Sequence, residues 1–298
     1  MIASNILDTI GNTPLVKLES FSPSPEVNIY AKLEGTNPSG SIKDRPALRM
    51  IECGEASGKL CPGKTIVEAS SGNMGISLAM IGAVKGYKVK IFMSEGVSAE
   101  RRKILAAYGA EVVLTPAAEG TDGAIRRARA LAAEDPQAYY MPDQFSNKGN
   151  YMSHFVSTAG EILQQTHGRV DYVVSAIGTS GTLMGLAKYL KEASPSIKIV
   201  CAQPTKGHYI QGLKNLEEAI VPAIYNPDLI DIQEMIETED AFAMARRIIS
   251  QEGIFVGMSS GAAMVAAVRV AQRIPKGNIV VIFPDRGEKY ISTSLFSE

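Results

Sequence analysis

The sequence predicts an α/β protein whose sheets are mainly parallel and buried on both faces. Two observations point there. β-Branched runs alternate with helix-period segments almost throughout the 298 residues, which is the signature of βαβ units. The run Val173-Val174-Ser175-Ala176-Ile177 is apolar on nearly every position, as a strand covered on both faces should be. Two such series follow one another, one within about 44–148 and one after it. No Pro/Gly/Ser linker separates them and no internal repeat is evident. The chain is therefore expected to form two packed α/β lobes, a smaller one at 44–148 and a larger one at 1–43 and 149–298. The cleft between them is the default ligand site.

In order, the β-rich runs place strands at 29–33, 65–68 (TIVE), 88–93 (KVKIFM), 111–114 (EVVL), 172–176, 198–203 (KIVCAQ) and 278–283 (NIVVIF). Helical spacing of apolar residues falls between them, at 75–85, 99–108, 121–133, 182–192, 240–251 and 262–274. A further helical pattern, ALRMIECGEA, precedes the strand at 65.

Bulk properties narrow the function classes. Hydrophobic residues make up 45% and charged residues 20%, an ordinary globular mix. A net charge of −1 gives no basic field to hold nucleic acid or anionic lipid. The three cysteines, Cys53, Cys61 and Cys201, form no CxxC pair, which favours free thiols in a reducing compartment. The N-terminus has no basic, apolar leader pattern, and no apolar run reaches the ~20 residues that cross a bilayer. A cytoplasmic protein is expected.

Two motifs are decoys. Residues 58–65, GKLCPGKT, match GxxxxGK[ST] in full, but phosphate binding requires a strand before that loop and a helix after it. Here a helical pattern precedes and a strand follows. Gly178, Gly181 and Gly185 follow a strand and open a helix, yet their spacing is not GxGxxG. The next strand also ends Ala202-Gln203-Pro204, without a ribose-binding acid. The clusters Arg101-Arg102-Lys103 and Arg126-Arg127-Ala128-Arg129 read as solvated helix faces. The histidines are scattered, so no metal site is expected.

A repeated device carries the chemistry. Strand 172–176 runs into Gly178-Thr179-Ser180-Gly181-Thr182 and a helix, where small residues let N–H groups approach an anion at the positive helix end. An ordinary turn with a Thr N-cap fits about as well. Strand 65–68 runs into Ser70-Ser71-Gly72-Asn73-Met74-Gly75, a second anion site suited to a carboxylate, or again a cap. Gly257-Met258-Ser259-Ser260-Gly261 leads a third helix near 262, where one serine suffices as cap and leaves the other for a ligand. Lys43 lies in a fourth turn, TNPSGSIKDR (36–45). A cation is unfavourable at a helix N-terminus, so capping does not explain it. Together these elements suit a ligand bearing a phosphate and a heteroaromatic ring, joined to the lysine as a Schiff base, and a substrate with a carboxylate.

These motifs occur in one order: NPSGSIKDR, SSGNMG, ERRKILAAYGAEV, DQFSN, GTSGT, GMSSGAA and DRGEKY. In that combination, from Gly11-Asn12-Thr13-Pro14-Leu15 to Tyr290, the chain resembles the cysteine synthases (O-acetylserine sulfhydrylases), in particular their B-type branch. The resemblance implies the fold-type II architecture of pyridoxal-phosphate enzymes, similar to the tryptophan synthase β subunit, with a mobile smaller lobe. It implies that Lys43 carries pyridoxal 5'-phosphate and acts as the catalytic base. Gly178, Thr179, Ser180, Gly181 and Thr182 would bind its phosphate, Asn73 its ring hydroxyl and Ser259 its pyridine nitrogen. Ser70, Ser71, Gly72, Asn73 and Met74, with Gln144, would clamp the substrate carboxylate, and Gly212 would line the cleft. The implied reaction makes L-cysteine from O-acetyl-L-serine, or O-phospho-L-serine, and sulfide or thiosulfate through an α-aminoacrylate. A sulfide-producing lyase on the same fold is the nearest alternative. A homodimer is implied. A-type relatives also hold a serine acetyltransferase tail in the active site, but nothing in this sequence signals that contact.

The sequence departs from the family in two places. Ser70 and Met74 stand where the family clamp carries threonines, and Lys214-Asn215 stand where B-type relatives often carry arginine. Lys214 is a candidate point charge for an anionic donor, although a solvated surface lysine explains it equally well.

Overall fold

The computed structural model describes residues 2–297, which leaves the two outermost residues of the expected larger lobe, Met1 and Glu298, outside the described residues. The chain enters through β1 (Leu15–Lys17) and β2 (Val27–Leu33), then forms α1 (Asp44–Ala56). A first βα series follows: β3 (Thr65–Ala69), α2 (Asn73–Lys85), β4 (Lys88–Ser94), α3 (Ala99–Ala107), β5 (Glu111–Thr115), α4 (Gly120–Glu134) and β6 (Tyr139–Tyr140). Next come α5 (Lys148–Ser153) and α6 (Ala159–Gln165), joined by a π-helical turn at His154–Thr158. The second series is β7 (Tyr172–Ala176), α7 (Gly181–Ala193), β8 (Lys198–Pro204), β9 (Ile232–Ile236), α8 (Thr238–Glu252), α9 (Met258–Ala271) and β10 (Gly277–Phe283).

The strands form two sheets. The larger runs β1-β2-β10-β7-β8-β9, the smaller β5-β4-β3-β6. Every pairing is parallel except β1 with β2. In each sheet a helix that is apolar on all sides is buried along most of its length, α9 on the larger and α2 on the smaller, as such a composition requires. β10 pairs with β2 from Gly277↔Val27 to Phe283↔Leu33. That register sets Pro284 and Asp285 at the carboxyl end of the sheet beside the turn that carries Lys43, and Ser41 bridges Asp285 there. The loops after β3, β7 and β10 thus meet at carboxyl strand ends, where ligands bind in open α/β sheets.

The GKLCPGKT segment has the rejected order, α1 before it and β3 after it. Lys64 donates to the carbonyls of Lys59 and Pro136 at 3.0 and 2.8 Å, so it closes a turn. Several elements escaped the sequence reading. β1 and β6 are only three and two residues long. β9 (IQEMI) alternates as a sheet edge and lacks a β-branched run. The α5–α6 segment carries glycines and the π-turn, which break the 3.6 period.

Candidate active site

The loop after β7 is shaped by close packing. A Cβ on Gly178 would lie 2.6 Å from the Gly212 carbonyl oxygen, and one on Gly181 would collide with the Asn150 amide. Ser180 caps α7 from the left-handed region (φ 65°), rare for a residue with a side chain, and its hydroxyl makes no cap bond. The predicted Thr cap is therefore not the one used. Ser180 Oγ is buried and has no partner among the described residues. Thr179 Oγ1 receives Asn150 Nδ2 at 3.0 Å, and Thr182 Oγ1 lies 3.4 Å from His154 Nε2. Burial, then the charges of Arg45 and Lys43, hold the His154 pKa low, so it sits there as a neutral ring.

Lys43 directly precedes α1 and its Nζ lies 3.5 Å from Thr179 Oγ1. Its turn is closed by Gly40 N–H on the Asn37 carbonyl at 2.7 Å, with Gly40 at φ 80°. Asp44 is buried and accepts from Ser39 N–H at 2.8 Å, from the Ser39 hydroxyl, and from Ser77 Oγ at 2.6 Å. Its work is thus to lock the turn as well as to complement the helix end. Burial lowers the Lys43 pKa to about 8, and the charge of Asp285 opposes that shift.

At α2 the N-cap is Gly72 (φ 139°), not a serine. A Cβ at Gly72 would run into the Arg101 side chain. Ser70 Oγ accepts the N–H groups of Gly72 and Gly75 at 2.9 and 3.1 Å, so its hydroxyl orders the loop and leaves the N–H groups of Asn73 and Met74 for an anion. Ser70, Ser71, Asn73, Met74, Gln144, Gly212 and Lys214 line one cavity with Lys43. Gln144 is fixed by its Nε2 on the Ala69 carbonyl at 2.8 Å. Lys43, Asn73, Gly178 to Thr182 and Ser259 line an adjoining one. α9 begins at Met258, so Ser259 and Ser260 lie inside its first turn and neither is the expected cap.

Arg101 corrects the sequence reading most sharply. It is 1% exposed, not a solvated face. Its guanidinium lies 4.5 Å over the Tyr290 ring and donates to Ser71 O at 3.3 Å and Asp285 Oδ2 at 3.5 Å. Asp285 Oδ2 also accepts from Tyr290 Oη and Asn73 Nδ2, both at 2.7 Å. Lys289 Nζ completes the frame on Asn73 Oδ1 at 3.0 Å, and burial lowers its pKa to about 8 with Asp285 opposing. The amide of Asn73 is thereby gripped at both ends. Asp285 and Lys289 were visible only as members of the DRGEKY motif, because nothing local indicates which amide they hold.

The pattern of the pyridoxal-phosphate dependent enzymes matches residues 6–285. The chain belongs to that family. It is 46% identical to a cysteine synthase of Aquifex aeolicus, over 98% of this chain and 92% of the other. It is 44% identical to cysteine synthase B of Salmonella typhimurium, over 97% and 95%. Among solved structures it resembles a cysteine synthase from Entamoeba histolytica (41% identity, TM-score 0.92, covering 99% and 91%). It also resembles a hydrogen sulfide-producing enzyme from Fusobacterium nucleatum (40%, TM-score 0.91, covering 97% and 100%). The chain is therefore a pyridoxal-phosphate-dependent enzyme of the cysteine synthase family with the fold-type II architecture.

The residues fit the cofactor. The buried, unpartnered Ser180 hydroxyl and the glycines packed against Gly212 and Asn150 make a cradle for a phosphate at the α7 N-terminus. Lys43 stands at one side of the same cavity, with Ser259 also in its wall.

Proposed function

We propose that this enzyme makes L-cysteine by replacing the ester group of O-acetyl-L-serine with sulfide. What carries the reading is the convergence on Lys43, an amine of lowered pKa, of two helix N-termini that suit a phosphate and a carboxylate. Bound on Lys43, the cofactor would supply an electron sink for the Cα–H bond of the substrate. The chain's own residues do the rest. Asn73 and Met74 N–H groups, at the positive end of α2, receive the substrate carboxylate, with Gln144 beside them. With a pKa of about 8, the Lys43 amine exchanges protons near neutral pH, so it removes the Cα proton and returns it after sulfide adds. Ser259 offers a neutral hydroxyl to the ring nitrogen and so adds no charge there. Asn73, held by Asp285 and Lys289, keeps one amide hydrogen for the ring hydroxyl.

Other parts of the reading follow from the surface and the thiols. Val156, 58% exposed beside Ile10 and Leu48 in a groove that also carries Arg49 and Glu52, offers a mixed apolar and charged face for the second copy of a homodimer. The free thiols Cys53, Cys61 and Cys201 suit the reducing cytoplasm. Among the described residues no helix is long and apolar enough to cross a membrane. The test is direct. The purified enzyme should form cysteine and acetate from O-acetyl-L-serine and sulfide, and Lys43→Ala should abolish the visible cofactor band with a rate loss of about 10³-fold or more. Cysteine synthesis by the Lys43→Ala protein at the parental rate would overturn the reading.

A further inference from the structure

Lys214 brings a second cation into the cavity wall that holds Lys43, Met74 and Gln144. It is 9% exposed. Its Nζ meets Asp122 Oδ1 at 2.6 Å, and the other Asp122 oxygen accepts the Ile220 N–H at 2.9 Å. The ammonium also lies 4.9 Å over the Phe145 ring. Asp122 comes from the first turn of α4, beside the smaller sheet, and Lys214 from the loop after β8 of the larger one. Thr121 reaches the cavity lining and Asp122 does not. The carboxylate therefore neutralises the lysine from behind.

We propose that Asp122 is a specificity-determining residue. By balancing the charge of Lys214, it makes the enzyme favour a serine activated by an uncharged ester over one activated by a phosphate ester. This rests on the synthase reading above. An isolated ammonium at this wall would attract a dianionic leaving group. Within the pair its field is largely cancelled, and an arriving phosphate must compete with Asp122 for the same ammonium while facing a like charge.

The experiment compares kcat/KM for O-phospho-L-serine and O-acetyl-L-serine at one sulfide concentration, in the parent, D122N, K214M and the double variant. Asparagine keeps an oxygen for the Ile220 N–H and removes only the charge. Because both donors are read on the same preparation, their ratio is independent of the fraction folded. The parent prefers the acetyl ester. D122N raises the phosphate-to-acetyl ratio about tenfold, the scale of one unit charge across a partly solvated cavity. K214M, which leaves the Asp122 charge unbalanced behind the cavity wall, lowers the ratio, and the double variant returns it close to the parent value. A ratio unmoved by D122N, a double variant whose ratio stays as high as that of D122N alone, or a parent that prefers the phosphate ester overturns the proposal. Absence of cysteine with either donor overturns the synthase reading itself, whereas cysteine formation with an unmoved ratio overturns only the role of Asp122.

Discussion

Below its pKa the Lys43 amine is protonated and cannot attack an aldehyde; above it, the lone pair is free. Burial brings that boundary down to about 8 from an ordinary 10.5, against the pull of Asp285. Capture of pyridoxal phosphate by the apoprotein should therefore accelerate with rising pH and level off with a midpoint near 8, followed by stopped-flow absorbance. A midpoint close to that of a free lysine side chain would contradict the burial argument. Replacing Asp285 by Asn removes the charge that retains the proton, so the midpoint should move lower still. Burial is the leading cause of this shift.

α7 is seated against α5 and the π-turn because its first two turns present glycines. A Cβ at Gly181 would strike the Asn150 amide, and one at Gly185 would strike the Tyr151 carbonyl. Asn150 in turn holds Thr179 and the Gln144 carbonyl. Gly181→Ala should push the helix N-terminus off its seat, at a cost of about 1–3 kcal/mol of stability. It should also weaken pyridoxal phosphate binding at least about tenfold, since the phosphate cradle and its packing are one object. Equilibrium dialysis and urea unfolding measure the two effects, and an unchanged affinity would show that the helix does not need this seat. The π-turn between α5 and α6 belongs to the same device, because it carries His154 beside Thr182.

Across the molecule, a buried charge network ties β2, α1 and α6 together. Lys32 Nζ lies 2.7 Å from Glu161 Oε2, Arg45 Nη1 lies 2.6 Å from Glu161 Oε1, and Arg45 Nε lies 2.8 Å from Glu34 Oε2. Burial alone would raise the Glu161 pKa, but hydrogen bonds and charge from Arg45, then Lys32, outweigh it and bring the value to about 2 from 4.5. A depressed carboxylate contributes stability above its unfolded pKa and loses it as pH falls through the folded one. Glu161 should thus stabilise the fold above pH 4.5 and cease to do so toward pH 2. Glu161→Gln leaves Lys32 and Arg45 short of a partner, so it should cost about 3–5 kcal/mol at pH 7. It should also flatten the acid limb of the stability curve between those pH values. Urea titrations across that range decide it, and a variant as acid-sensitive as the parent would remove Glu161 from the account.

The sequence by itself determined the parallel α/β class, nearly all the long strands, the three glycine-rich helix starts and the singular position of Lys43. Each is a local matter, because period, β-branching and turn chemistry act over a few residues. Tertiary structure alone decided which of those residues would share a cavity and what each would be spending its hydrogen bonds on. Ser70 holds the N–H groups of Gly72 and Gly75, Asn73 is held between Asp285 and Lys289, and Lys214 is neutralised by Asp122 across 92 residues of sequence. Arg101 reads locally as one basic residue among three on a polar helix. Only the approach of α3 to Tyr290 and Asp285 removes it from water. Burial and pairing are properties of the space between elements, and no window of the chain contains that space.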